Sequence, residues 1–116
     1  MVFKRLIAFA GVVFASFCLW AIAGWWTSPI WADEPNGEAL FNANCSACHV
    51  GGNNVIIAQK TLKQDALEKY AMNSLEAIQT QVVNGKNAMP SFKDRLTDEE
   101  VAAIATYVLQ QAESGW

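Results

Sequence analysis

The sequence predicts an all-α domain, and three observations carry that reading. Apolar residues recur at helical spacing in segments between Asn36 and Ala112. Two segments begin on residues suited to capping, Asn73 with Glu76 and Thr97 with Glu100. Strand alternation is nearly absent: Val55-Ile56-Ile57 is a candidate, but it is too short for a sheet.

The chain has 116 residues, enough for one small domain. Its formal net charge of −3 argues against nucleic acid as a partner. Apolar character is concentrated near the start. Residues 6–32 carry no charged side chain and hold Trp20, Trp25, Trp26 and Trp31 of the chain's 5 tryptophans. Lys4 and Arg5 precede an unbroken apolar and small-residue run from Leu6 to Trp20. Gly24 and Pro29 interrupt the apolar stretch beyond Trp20, and Ala32 stands just before Asp33-Glu34. This is the layout of an export signal, and residues 1–32 are expected to be cleaved after Ala32. Ile30 is larger than most signals prefer at that position before the cut. The competing reading is a retained anchor, because a bilayer span takes roughly 20 apolar residues. The interruptions and the cleavage site favour removal. Cys18 then leaves with the signal, and no stable membrane insertion is expected afterwards. Residues 33–116 remain as the working domain, more acidic without Lys4 and Arg5. A core of that size is marginal alone, so a large buried cofactor would add to it.

The elements run in order along the chain. The first helix is expected over Asn36–Cys48, with Leu40 and Ala43 apolar and Phe41 four residues after Gly37. A second is expected over Leu62–Tyr70, where Leu62, Ala66 and Tyr70 repeat at spacing four. The third spans about Ser74–Val83, opened by the Asn73/Glu76 box, lined by Leu75, Ile78 and Val82, and stopped by Asn84-Gly85. The fourth has Thr97 as cap, and Asp98 and Glu99 face the positive end of its dipole. Its stripe is Val101, Ile104, Ala105, Val108 and Ala112. Phe41 and Tyr107 are expected to meet where the first and last helices cross. Trp116 either caps that packing or is exposed. The loops 50–60 and 85–96 are rich in Gly, Asn and Pro, and irregular loops of that length are often functional.

Cys45-Ser46-Ala47-Cys48-His49 carries the chemistry. Two thiols separated by two residues sit one helical turn apart. They can form two thioether bonds to one haem and place the next residue, His49, under its iron. Imidazole suits iron. A thioredoxin-like pair would need a βαβ setting that is not present. A zinc site would need a third cysteine or second histidine after residue 32. His49 is the chain's only histidine, so the second axial ligand must be something else. Met89 lies in Gly85-Lys86-Asn87-Ala88-Met89-Pro90, where Pro90 favours an extended backbone. Met72 follows the second helix and reads more readily as core filler or surface. Met89 is therefore the expected ligand. A His49/Met89 pair favours reduced iron and leaves no open position for oxygen or peroxide. An electron carrier is expected, not an enzyme.

These residues resemble the cytochrome c6 family, small class I c-type cytochromes of photosynthetic electron transfer. The likeness runs through most of the chain after residue 32. It includes Gly37 to Phe41, Asn44 to His49, Gly51-Gly52, Lys60-Thr61-Leu62, Ala66 to Tyr70, Gln81-Val82, Asn84 to Pro90, Phe92 and Tyr107-Val108. It implies a class I cytochrome c fold, about four helices wrapped around one covalent haem c. It implies transfer from the cytochrome b6f complex to photosystem I, as plastocyanin performs, with a terminal oxidase as a further acceptor. By the same resemblance Lys60 lies near the haem propionates, Gln81 packs near the haem and helps set its potential, and Arg95 docks photosystem I. Each also reads as an ordinary solvated or helix-surface polar residue. The single short presequence points to a cyanobacterial source, and so to the thylakoid lumen, with the periplasm as the alternative.

Overall fold

The computed structural model describes residues 33–116, and it is helical as expected. The expected signal segment, 1–32, lies outside the described residues. The elements are α1 (Gly37–Asn44), α2 (Ser46–His49), a 3-10 turn (Val50–Gly52), α3 (Gln64–Lys69), α4 (Leu75–Asn84) and α5 (Asp98–Ser114). There is no strand among the described residues, only an isolated bridge between Lys86 and Met89. No helix among them is long and apolar enough to cross a membrane.

The first expected helix is two. Asn36 opens α1 by accepting from the Ala39 amide at 3.0 Å. The rod breaks at Cys45, where φ is −117° and ψ −30°. Two side chains beside the break bond back into the helix. Asn44 Nδ2 donates to the Leu40 carbonyl at 2.9 Å, and Ser46 Oγ donates to the Asn42 carbonyl at 2.7 Å. Such back-bonding bends helices. The second helix is shorter than expected because Leu62 is tied elsewhere: its amide donates to the Gly52 carbonyl at 2.7 Å. Helix α3 ends in a paired carbonyl-capping turn. The Ala71 amide reaches the Glu68 carbonyl (3.1 Å) and the Met72 amide reaches that of Leu67 (2.7 Å).

Helix α4 is capped one residue later than expected. Ser74, not Asn73, is extended and accepts from the Ala77 amide at 3.2 Å. Glu76 then stands one position too early to close a reciprocal box. Ile78 and Val82 are buried, but Leu75 is 45 % exposed and leaves the apolar face. Helix α5 begins as expected. Thr97 Oγ1 accepts from the Glu100 amide (3.2 Å), and Glu100 Oε2 accepts from the Thr97 amide (2.8 Å). All five residues of its stripe are buried.

The candidate strand at Val55–Ile57 is a turn built by one side chain. Asn54 Oδ1 accepts from the Ile56 and Ile57 amides at 3.0 and 2.8 Å, while its Nδ2 donates to the Lys60 carbonyl at 2.9 Å. This side-chain turn takes the amides a strand would offer to a neighbour.

Helices α1 and α4 pack mainly on α5. At the first crossing a Cβ on Gly37 would strike the Ala103 carbonyl, so α1 lies against the α5 backbone itself. Phe41 and Tyr107 meet there as expected, with ring centroids 5.4 Å apart. Trp116 joins them, 5.2 Å from Phe41 and 6.1 Å from Tyr107. The core continues through Leu67, Ile78, Val82, Phe92, Ile104 and Val108. Each such burial contributes about 1.5–3 kcal/mol.

Ala71 holds φ at 56°, a left-handed conformation that costs an alanine roughly 1–2 kcal/mol. Ala71→Gly is expected to raise stability by about 0.5–1 kcal/mol, read as a higher denaturant midpoint with unchanged slope.

Candidate haem site

The kink at Cys45 determines where the motif points. The amides of Cys48 and His49 both return to the Cys45 carbonyl, at 3.1 and 3.0 Å, so α2 is a single tight turn carrying both thiols and the imidazole. Behind it, the Cys45 amide donates to the Phe41 carbonyl at 2.8 Å and ties the turn to the core helix. The thiols are free, Cys45 half-buried and Cys48 exposed. Burial, and then the neighbouring Cys48, push the Cys45 thiol up to about 11. A dithiol redox pair relies on a thiol poised to ionise, and burial shifts Cys45 the other way.

His49 is half-buried, and its Nδ1 lies 3.1 Å from the Asn53 carbonyl. A carbonyl can only accept, so Nδ1 carries the proton and Nε2 keeps its lone pair. Burial holds the imidazole below its usual range, partly opposed by that hydrogen bond. Neutral imidazole is the form that binds a metal.

The other sulfurs come from two directions. Met89 sits on a strap of unusual constraint. Lys86 and Met89 exchange amide and carbonyl hydrogen bonds, both 3.0 Å, across the two-residue tip Asn87-Ala88. Gly85 makes the turn into the strap at φ 70°, and a Cβ there would lie 2.7 Å from the Met89 carbonyl oxygen and 2.6 Å from the Ser91 nitrogen. Gln81 Nε2 donates to Met89 Sδ at 3.8 Å. Met72 is delivered by the capping turn after α3 and packs on the core.

One cavity of about 340 Å³ collects these groups. Cys45, Cys48, His49, Lys60, Gln81, Met89 and Arg95 all line it, so the structure brings together every site residue read from the sequence. Its walls include buried Phe41, Leu67, Ile78, Val82, Phe92, Ile104 and Val108. Two cations border it on aromatic rings: the Lys60 ammonium is 5.4 Å from the Tyr70 centroid and the Arg95 guanidinium 4.8 Å from that of Phe92. Apolar walls, two free thiols, an imidazole with a free nitrogen, thioether sulfur and cations for carboxylate arms fit a covalently held haem.

Sequence reasoning missed some of the lining. Met72 belongs to the cavity as well as the core, and nothing in Tyr70-Ala71-Met72-Asn73 shows that a left-handed Ala71 would turn it inward. Tyr70, Asn54, Ile56 and Ile57 are lining residues too. The Asn54-Val55-Ile56-Ile57 run carried a signal, since an Asn before a β-branched pair can cap its own turn.

Comparison with known proteins agrees with this geometry. Residues 32–108 match the family model described as "Cytochrome C oxidase, cbb3-type, subunit III". Cytochrome c6 of Gloeothece citriformis is 59 % identical over 92 residues, covering 78 % of this chain and 84 % of that protein. Cytochrome c6 of Cyanidioschyzon merolae is 64 % identical over 88 residues, covering 75 % and 84 % respectively. The solved structure of cytochrome c6 from the diatom Phaeodactylum tricornutum superposes with a TM-score of 0.68 at 54 % identity, covering 70 % of this chain and 95 % of that one. The oxidase description and the cytochrome c6 relatives have a c-type cytochrome in common, and identity over most of both chains decides between them. The chain belongs to the cytochrome c6 family, with the class I cytochrome c fold and one covalently bound haem c.

Proposed function

We propose that the chain carries single electrons from the cytochrome b6f complex to photosystem I in the thylakoid lumen, with the periplasm as the alternative location and a terminal oxidase as a second acceptor. The observation that carries the reading is the gathering of Cys45, Cys48, His49 and Met89 on one cavity. In this reading Cys45 and Cys48 would hold the haem through thioether bonds, while His49 Nε2 and Met89 Sδ would ligate its iron. When bound, haem c supplies a one-electron couple at its iron. The chain's own residues hold that couple in a narrow setting. The Asn53 carbonyl orients the imidazole, and the strap holds the thioether. Gln81 donates to the same sulfur and draws density from it, which favours reduced iron. The apolar walls exclude water, which also favours the less charged state.

Lys60 is proposed to meet the propionate carboxylates, and Tyr70 keeps its ammonium at the cavity margin. Arg95 is exposed beside Phe92 and is proposed to pair with acidic groups on photosystem I. With His49 and Met89 both on the iron, the chain would leave no open position for substrate, and the proposed part is that of a carrier.

Three measurements test this. Met89→Ala is expected to abolish the weak far-red band by which oxidised protein reports an iron–thioether bond, while Met72→Leu keeps it; the reverse pattern makes Met72 the ligand. Gly85→Ala meets the Met89 and Pro90–Ser91 backbone at a left-handed φ. It is expected to cost about 1–3 kcal/mol and to weaken the same band, read by thermal unfolding followed at that wavelength. Flash-induced reduction of photosystem I by the purified protein is expected to be fast, and Arg95→Glu is expected to slow it severalfold at low salt and much less at high salt. Absence of any reaction with photosystem I refutes the carrier assignment and leaves the haem site intact.

A further inference from the structure

Trp116 lies far along the chain from the haem motif, yet its indole touches the turn that serves His49. The turn is Val50–Gly52, which links the ligand to Asn53, the residue whose carbonyl accepts from His49 Nδ1. Gly52 is buried with φ 72°, and a Cβ on it would lie 2.5 Å from both Cγ and Cδ2 of Trp116. The ring therefore rests directly on the Gly52 backbone. Its other neighbours are aromatic: Phe41 at 5.2 Å, tilted by 47°, and Tyr107 at 6.1 Å, edge-on at 87°. The Gly52 carbonyl accepts from the Leu62 amide at 2.7 Å. The turn's own bonds run from the Asn53 amide and Nδ2 to the Val50 carbonyl, at 3.1 and 3.2 Å, but between them Gly51 and Gly52 both have positive φ and no side chain to pack.

We propose that Trp116 is a positioning residue for His49. It clamps Gly52 against the Phe41–Tyr107 contact and so keeps the Asn53 carbonyl on Nδ1. A hydrogen bond at that nitrogen sets the tautomer, the plane and the basicity of the imidazole. Loss of the indole leaves the fold's main helix contacts in place but frees Gly51-Gly52 to move, and the Asn53 carbonyl moves with them. The proposal rests on His49 being the iron ligand. It adds that the ligand's geometry is maintained by an aromatic side chain remote in sequence.

The test uses the haem-bearing protein and reads the His49 ring N–H by nuclear magnetic resonance. A ring signal strongly displaced by the haem in the parent reports ligation. An undisplaced signal would overturn the ligand assignment itself, whereas the variants concern only the clamp. In Trp116→Ala the Nδ1–H is expected to exchange with solvent about tenfold faster, and Trp116→Phe to recover most of the protection. Val101→Ala removes buried volume from α5 without touching Gly52 and serves as a stability control. At a matched loss of melting temperature it is expected to leave the exchange rate within about threefold of the parent. Equal acceleration in Val101→Ala and Trp116→Ala would reduce Trp116 to general packing and overturn the clamp. Gly52→Ala supplies an independent check. If the indole presses on this position, Trp116→Ala should relieve part of the Gly52→Ala defect, giving a double variant more protected than the Gly52→Ala protein. Additive defects would overturn the contact on which the proposal stands.

Discussion

The crossing of α1 on α5 is the constraint on which the rest of the site depends. Phe41 serves it in three ways at once. Its ring packs on Tyr107, it forms part of the cavity wall, and its carbonyl receives the amide of Cys45. The place where α1 meets α5 therefore determines where the haem-attaching turn begins. Helix α5 contributes Ile104 and Val108 to the same cavity from the other partner in the crossing. Helix packing and cofactor placement are one problem here. A change that shifted α1 along α5 would move both thiols and the imidazole together.

The strap is positioned by a different set of hydrogen bonds. A helix end leaves its last carbonyls without intrahelical partners. At the end of α4 those carbonyls are taken up by the strap's two legs. The Gly85 amide reaches the Gln81 carbonyl at 2.7 Å as the strap leaves. The Phe92 amide reaches that of Val82 at 3.0 Å, and Ser91 Oγ that of Val83 at 2.5 Å, as it returns. Met89 sits between these anchors. The same helix supplies Gln81, whose amide donates to the Met89 sulfur. One helix terminus thus holds the strap's backbone, and one side chain on that helix addresses its sulfur.

The features legible in the sequence and those hidden from it divide along physical lines. Helix α5 was legible from Thr97 to Ala112 because its cap, its charges and its apolar period agree. The Cys45–His49 motif and Met89 were legible as candidates for one cavity, because covalent and ligand chemistry restrict residue type. The kink at Cys45 was not, since it depends on Asn44 and Ser46 bonding back to carbonyls they could equally have left alone. The shorter α3 depends on Leu62 finding Gly52, a contact between two loops. Ser74 displaced Asn73 as cap although both are good capping residues, and only the chain's direction leaving the α3 turn distinguishes them. Met72 and Trp116 were ambiguous for the same reason. Each is turned onto the core by a left-handed residue just before it, Ala71 or Gly115, and an alanine in that role leaves no trace in composition.

The two proposed ligands are restrained in complementary ways, and this bears on electron transfer directly. Moving an electron changes the charge at the site by one, and every group that must rearrange in response adds to the barrier. His49 is restrained through the acidic side of its ring, by a carbonyl acceptor at 3.1 Å. Met89 is restrained through its backbone by paired bonds to Lys86 and through its sulfur by Gln81. Both restraints are supplied by the chain's own groups. A thioether alone would bind oxidised iron weakly, because soft sulfur prefers the reduced metal. The strap offsets this by leaving Met89 few other places to go. If Met89 is the ligand, the protein would favour reduced iron without losing that ligand on oxidation, as an electron carrier requires.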